Sequence, residues 1–252
     1  MAAVLLAACA APAPSATPSP NPAPSATASS EPTSAPRATA SETPIPETAV
    51  CSPLQDHALT DLPKYISQPF IPPQGANKET GHHGIDFAYY HRDGVGGPLD
   101  GNPIQSVLNG YMAGLGYNPV YGNYLIIETP DQWLPADLVG LYSTGSGESL
   151  YLLYAHMQDL APFEIHEPLD CGQVIGYVGD SGSEFFVSDP HLHFETRIGP
   201  SGIFIEPMSY YDTQASEAEK AEYLYWRSSA TFTLFDPMRL LEYGAAHEEI
   251  RG

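Results

Sequence analysis

Seven short runs of alternating or β-branched residues constrain this chain more than any other feature. They are Gly84–Tyr90, Ile104–Leu108, Tyr111–Leu115, Tyr124–Glu128, Leu150–Ala155, Val174–Val178 and His191–Arg197, with glycines such as Gly110, Gly122, Gly172, Gly179 and Gly182 punctuating them. Short strands separated by glycine turns predict a mainly β domain built on an antiparallel sheet. Helix signals are confined to the end of the chain. Ser216 followed by Glu219 predicts a capping box and a helix through about Tyr225, and Asp236-Pro237 is a second helix start. The segment 130–148, with Trp133 and Pro135, reads as a long loop of the kind that lines binding sites.

The start of the chain has a different character. No aromatic residue precedes Tyr65, and Ala11–Ala49 is almost entirely Pro, Ala, Ser and Thr. Such a stretch has too little apolar surface to offset the entropy of ordering its backbone. Residues 10–50 are therefore expected to form a disordered spacer, leaving 51–252 for one domain with its own core. Residues 1–9 are apolar and end in Leu6-Ala7-Ala8-Cys9, which resembles a bacterial lipoprotein box, although no basic residue precedes the run. That resemblance implies lipidation at Cys9, a membrane anchor and a place outside the cytoplasm.

With Cys9 assigned to lipid, Cys51 and Cys171 remain, and an exported chain sits where disulfides persist. A Cys51–Cys171 bridge is expected. Nine Lys and Arg against thirty Asp and Glu give a formal charge of −21, which argues against nucleic acid as a partner.

Two histidine clusters carry the chemistry. In His82-His83-Gly84-Ile85-Asp86 an even spacing puts His82 and Asp86 on one face of an extended strand. In His191-Leu192-His193-Phe194 the two histidines share one face while Leu192 and Phe194 turn to a core. A catalytic zinc needs three protein ligands and one open position, and His82, Asp86 and His193 would supply two nitrogens and an oxygen. His156 and His191 are left to move a proton and stabilise charge, without a choice between them as base. His57, His91, His166 and His247 lack motif context and read as surface residues.

These residues resemble a known family. His82-His83-Gly84-Ile85-Asp86-Phe87-Ala88, Asn123-Tyr124-Leu125-Ile126-Ile127, Tyr154-Ala155-His156-Met157, Gly172-Gln173-Val174-Ile175-Gly176, Gly179-Asp180-Ser181-Gly182 and Pro190-His191-Leu192-His193-Phe194-Glu195 are similar, in order, to the motifs of lysostaphin-type (LytM-like) zinc endopeptidases. The resemblance implies one Zn2+ on His82, Asp86 and His193, catalytic roles for His156 and His191, a β-rich fold with a narrow groove, and peptidoglycan peptides as substrate. His83 falls where that family varies and reads as a flanking residue. Two segments lengthen the family pattern: 130–148, and the aromatic-rich 198–235, expected to cover a sheet edge and form a local core. Two other functions share these motifs: a non-catalytic zinc lipoprotein that regulates or scaffolds wall hydrolases, and a zinc D,D-carboxypeptidase or dipeptidase.

Overall fold

Each of the seven runs overlaps a strand in the computed structural model, which describes residues 49–74, 80–88, 99–160, 162–183 and 189–251. Cys9, nearly all of the 10–50 spacer and His91 lie outside the described residues. The strands are β1 (Ile66–Gln68), β2 (Ile85–Phe87), β3 (Pro103–Gln105), β4 (Gly110–Asn118), β5 (Gly122–Pro130), β6 (Glu148–Met157), β7 (Pro168–Leu169), β8 (Val174–Tyr177), β9 (Leu192–Pro200) and β10 (Thr233–Phe235). The three that sequence reading missed, β1, β7 and β10, have two or three residues each, too few to show a period of two.

One antiparallel sheet runs β1-β2-β9-β6-β5-β4-β7, and β3 pairs with β8 in a second, two-stranded sheet. β9 is the hub. β6 lies along one side of it, and β2 and then β10 share the other. The alternation along β6 shows how the sheet is covered. Leu150, Leu152 and Tyr154 enter a core with Leu125, Ile127, Leu192 and Phe194. Tyr151, Leu153 and Ala155 enter a separate core with Tyr124, Ile126, Tyr223 and Trp226. Both faces are thus dry along the central strands, and full burial of each large apolar side chain contributes roughly 1.5–3 kcal/mol.

Helices are not confined to the end of the chain, contrary to the sequence reading. Leu59–Lys64 and Asp131–Trp133 are short 3-10 turns, and Ala136–Tyr142 forms helix α1 inside the segment read as a loop. That segment joins the end of β5 to the start of β6, whereas His156 lies at the other end of β6. At about 3.3 Å per residue the two are more than 20 Å apart along the strand. Leu138 and Tyr142 of α1 pack into the first core, so the segment closes the core and lines no part of the histidine cluster.

Helix α2 (Glu217–Ser228) starts at the expected capping box, with both reciprocal bonds between Ser216 and Glu219 formed, and runs three residues beyond the expected end. Asp236 Oδ1 accepts the Met238 N–H at 2.9 Å where α3 (Met238–Arg251) begins. Between them, the aromatics of 198–235 cover a face of the sheet: Tyr223, Trp226 and Phe232 are buried in the second core, while β10 adds a strand beside β9. Cys51 and Cys171 are joined as a disulfide across a sequence separation of 120, with Cα atoms 5.7 Å apart. Closing a loop of that length stabilises the fold by about 2–5 kcal/mol. Val50, just before Cys51, is also buried. Among the described residues no helix is long and apolar enough to cross a membrane.

Candidate metal centre

Three neighbouring strands bring the histidines together. Asp86 on β2 lies directly opposite His193 on β9, and His193 lies opposite Ala155 on β6. Gly84 permits the close approach of β2, since a Cβ there would stand 2.3 Å from the Phe194 carbonyl oxygen. His82 is held by a bridge to Ile71. At the end of β6, Asn123 pairs with Met157 but Leu125 pairs with Tyr154, so β6 carries one extra residue there. This bulge re-aims His156, whose φ of 61° is uncommon for a residue with a Cβ. The His156 N–H donates to the Tyr121 carbonyl at 2.8 Å. Gly122, at φ +60°, brings the chain against Ser181, where a Cβ would stand 2.0 Å from the Ser181 oxygen. That same oxygen accepts from His156 Nδ1 at 2.9 Å.

The side chains converge tightly. His82 Nε2 is 3.1 Å from Asp86 Oδ1 and 3.1 Å from His193 Nδ1, and His193 Nδ1 is 2.8 Å from Asp86 Oδ1. The outer nitrogens decide what these atoms are. His82 Nδ1 faces the Pro69 carbonyl at 2.9 Å, and a carbonyl only accepts, so Nδ1 carries the hydrogen and Nε2 the lone pair. His193 Nε2 likewise donates to Glu195 Oε1 at 3.1 Å, turning the Nδ1 lone pair inward. Two nitrogen lone pairs and a carboxylate oxygen therefore meet at one point, an arrangement that requires a positive charge between them. Their spacing is close to the roughly 3.3 Å edge of a tetrahedron with metal–ligand bonds of about 2.0–2.1 Å. His82, Asp86 and His193 thus form a group able to hold a metal ion.

Two more imidazoles stand beside this group. His191 Nε2 is 3.9 Å from Asp86 Oδ1, and its Nδ1 donates to the Asp189 carbonyl at 2.8 Å. The His156 ring lies 4.4 Å from that of His191 and 6.0 Å from that of His193, centroid to centroid. The Nδ1 atoms of both are tied to backbone carbonyls, so Nε2 is the free basic atom of each. All five residues singled out by sequence are in one place. His57, His166 and His247 lie elsewhere; His166 is exposed, while His57 and His247 are half-buried against Gln55 and Tyr243.

Beneath the centre runs a buried polar network that sequence reading missed. Glu195, fully buried, accepts from His193 Nε2, from the Tyr121 hydroxyl at 2.8 Å, and from Arg197 Nε and Nη2 at 2.9 and 2.8 Å. Arg197 also donates to the Trp226 carbonyl at 2.9 Å, and Arg227 Nη1 donates to the Tyr121 hydroxyl at 3.1 Å. Helix α2 therefore braces the residue that orients a ligand. His83, read from sequence as a flanking residue, belongs to this network. It is 1 % exposed, and Arg197 Nη2 donates to its Nδ1 at 3.1 Å. A signal for part of this was in the sequence: His193, Glu195 and Arg197 alternate with Leu192, Phe194 and Thr196, placing three ionisable side chains on one face of a central strand.

The electrostatics follow from burial opposed by pairing. Burial alone would raise the Asp86 carboxyl, but its pairing with His193 and His82, which favours positive charge on those rings, holds it well below the usual carboxylate range. Burial would lower His193, yet Asp86 and Glu195 raise it to about 9. Without a metal, a proton on His193 thus supplies the positive charge the cluster requires. Burial also opposes ionisation of Glu195, and Arg197 and His193 overcome it. His156 falls to about 3 through burial and the neighbouring His191 and His193, so it is a neutral imidazole at ordinary pH.

No family model matches the chain, and no curated protein does. Among solved structures the chain is similar to LytU, with 24% identity and a TM-score of 0.37 over 56% of this chain and 76% of that one. A zinc-containing peptidase from Vibrio cholerae shows 23% identity and a TM-score of 0.39, over 59% of this chain and 36% of that one. The catalytic domain of the antimicrobial peptidase lysostaphin from Staphylococcus simulans shows 20% identity and a TM-score of 0.40, over 74% of this chain and 99% of that one.

Proposed function

We propose that this domain is a zinc-dependent endopeptidase that hydrolyses peptide cross-bridges of bacterial peptidoglycan outside the cytoplasm. The observation that carries the reading is the convergence of the His82, Asp86 and His193 lone pairs beside two further histidines. Two imidazoles and a carboxylate suit zinc and leave a position for substrate or water. Zinc in such a site acidifies water and polarises a carbonyl group. His191 and His156, each with Nδ1–H anchored to a backbone carbonyl, present Nε2 to accept or donate a proton and to stabilise developing negative charge. Glu195 keeps the His193 lone pair directed at the centre. The ordered motif resemblance supports peptidoglycan peptides as substrate, and the Cys51–Cys171 disulfide supports a site of action outside the cytoplasm. Lipid on Cys9 and the spacer behind it would keep the domain near the wall by raising its local concentration.

Mass spectrometry of digested peptidoglycan, combined with zinc analysis of the protein, tests this. The wild type should split cross-linked dimers and hold one zinc per chain, and His193→Ala should lose both properties. Unchanged cleavage by His193→Ala refutes the ligand assignment. Release of free amino acids or dipeptides alone would replace the endopeptidase by a carboxypeptidase or dipeptidase. Zinc retention with no product from any wall source would point to a regulatory lipoprotein.

A further inference from the structure

The two histidines beside the metal centre are anchored differently. His191 Nδ1 bonds to the Asp189 carbonyl, two residues away in its own segment. His156 Nδ1 bonds to the Ser181 carbonyl at 2.9 Å, across 25 residues of chain. A neutral imidazole carries a single N–H, so the partner of Nδ1 decides whether Nε2 offers a lone pair. The place of the Ser181 carbonyl therefore sets both the tautomer and the direction of the His156 ring.

The Ser181 side chain fixes that carbonyl. Its hydroxyl donates to the Met157 carbonyl at 2.6 Å and accepts the Asn123 N–H at 2.8 Å. Asn123 on β5 faces Met157 on β6, and the register slips immediately beyond this pair. The hydroxyl thus bridges the two strands at the edge of the bulge that carries His156. Asn123 Nδ2 closes the same junction, donating to the Met157 and Gln158 carbonyls at 3.1 and 3.0 Å. A hydroxyl donates and accepts at one atom; a methyl group does neither, and a thiol does both weakly. The chain is shaped around this residue, since a Cβ at Gly122 would stand 2.4 Å from Ser181 Oγ. With backbone groups on both sides of its hydroxyl, Ser181 is placed to hold structure and not to attack substrate. We propose that Ser181 is a positioning residue for His156: its hydroxyl, threaded between β5 and β6, holds the carbonyl that keeps the hydrogen on Nδ1 and leaves the Nε2 lone pair free beside the metal centre. The inference rests on the reading of His156 as a working group of the proposed hydrolase, and its structural half is tested without turnover.

Nitrogen-15 NMR of the zinc-loaded full chain, labelled at histidine, reads the His156 tautomer; cleavage of a purified cross-linked peptide dimer from digested wall reads turnover. The wild type should show a single Nδ1–H tautomer at His156. Ser181→Ala should show a mixture of tautomers and a kcat about tenfold lower, with KM and zinc content unchanged, as expected on losing a buried hydrogen-bonded bridge that acts through a group used in turnover. Ser181→Thr, which keeps the hydroxyl, should restore both. Leu138→Ala, destabilised away from the site, should keep the wild-type tautomer and kcat. If Ser181→Ala does not fold, Ser181→Cys takes its place with the same expectations. A single Nδ1–H tautomer or an unchanged kcat without the hydroxyl, the same losses in Leu138→Ala, or no recovery in Ser181→Thr would each overturn the proposal. A wild type that cleaves nothing, with the tautomer still dependent on Ser181, would sink the hydrolase reading and leave the positioning of His156 standing.

Discussion

The segments 130–148 and 198–235 both add a helix and buried aromatics to the sheet, yet only the second reaches the metal centre. In the first, α1 sends Leu138 and Tyr142 into the core beneath the start of β6. In the second, α2 sends Tyr223 and Trp226 onto the opposite face, where the Trp226 carbonyl grips Arg197 and Arg227 grips Tyr121. The pleat explains the contrast. Along β9, Leu192 and Phe194 face the first core, and His193, Glu195 and Arg197 face away from it. A helix on the second face packs over the polar row that orients a ligand; α1, on the first face, puts Leu138 and Tyr142 into an apolar core and bonds its Asp137 to Tyr243, away from that row. Aromatic content alone does not separate a structural insertion from one that supports chemistry.

Matched truncations should break or sharpen this contrast. The largest effect is expected on stability: Trp226→Ala should cost about 3–5 kcal/mol and Leu138→Ala about 2–5 kcal/mol, each by loss of burial and a residual cavity. Only Trp226→Ala should also weaken zinc binding, because the Arg197 carbonyl anchor shifts. Denaturant unfolding and a zinc competition assay on both variants would decide, and equal loss of zinc affinity in Leu138→Ala would remove the distinction. A smaller effect is expected from two equally buried tyrosines, each 2 % exposed. Tyr121→Phe removes a donor to Glu195 and should lower zinc affinity about tenfold. Tyr142→Phe, outside the network, should leave it unchanged.

The smallest effect is a pH dependence of the chelator-treated protein. His193 sits at about 9 in the folded chain against an ordinary 6.5. Its contribution to stability is therefore complete below 6.5 and is lost as pH rises through 9. Asp86 and Glu195 are depressed, so their contribution is present above the ordinary carboxylate range and is lost as acid protonates them. Melting temperatures should fall on the alkaline side between about pH 6.5 and 9.5. Asp86→Asn should flatten that slope, while Leu138→Ala should lower the whole curve without changing its shape.

Local patterns wrote much of this molecule plainly. The continuous apolar run Leu150–Ala155 marks a strand buried on both faces, and alternation through His191–Phe194 puts His193 on the face opposite Leu192 and Phe194. Ser216 and Glu219 mark the start of α2 because a capping box needs only residues three apart. Other features carry no such local signature. The seven residues of α1 are too few for a clear helical period, and the bulge that aims His156 exists only in the pairing of β5 with β6.

What the sequence determined by itself was therefore seven of the described strands, the starts of α2 and α3, and the histidines, aspartate and cysteines available for chemistry, since spacing along a chain directly sets which side chains share a face. Only the tertiary structure decided that His83 is buried on Arg197, that Glu195 holds His193, and that α2 rather than α1 closes over the site. Those choices depend on which strands lie side by side and which helix covers which face, and they join residues as far apart as His83 and Arg197 through contacts that no local period encodes.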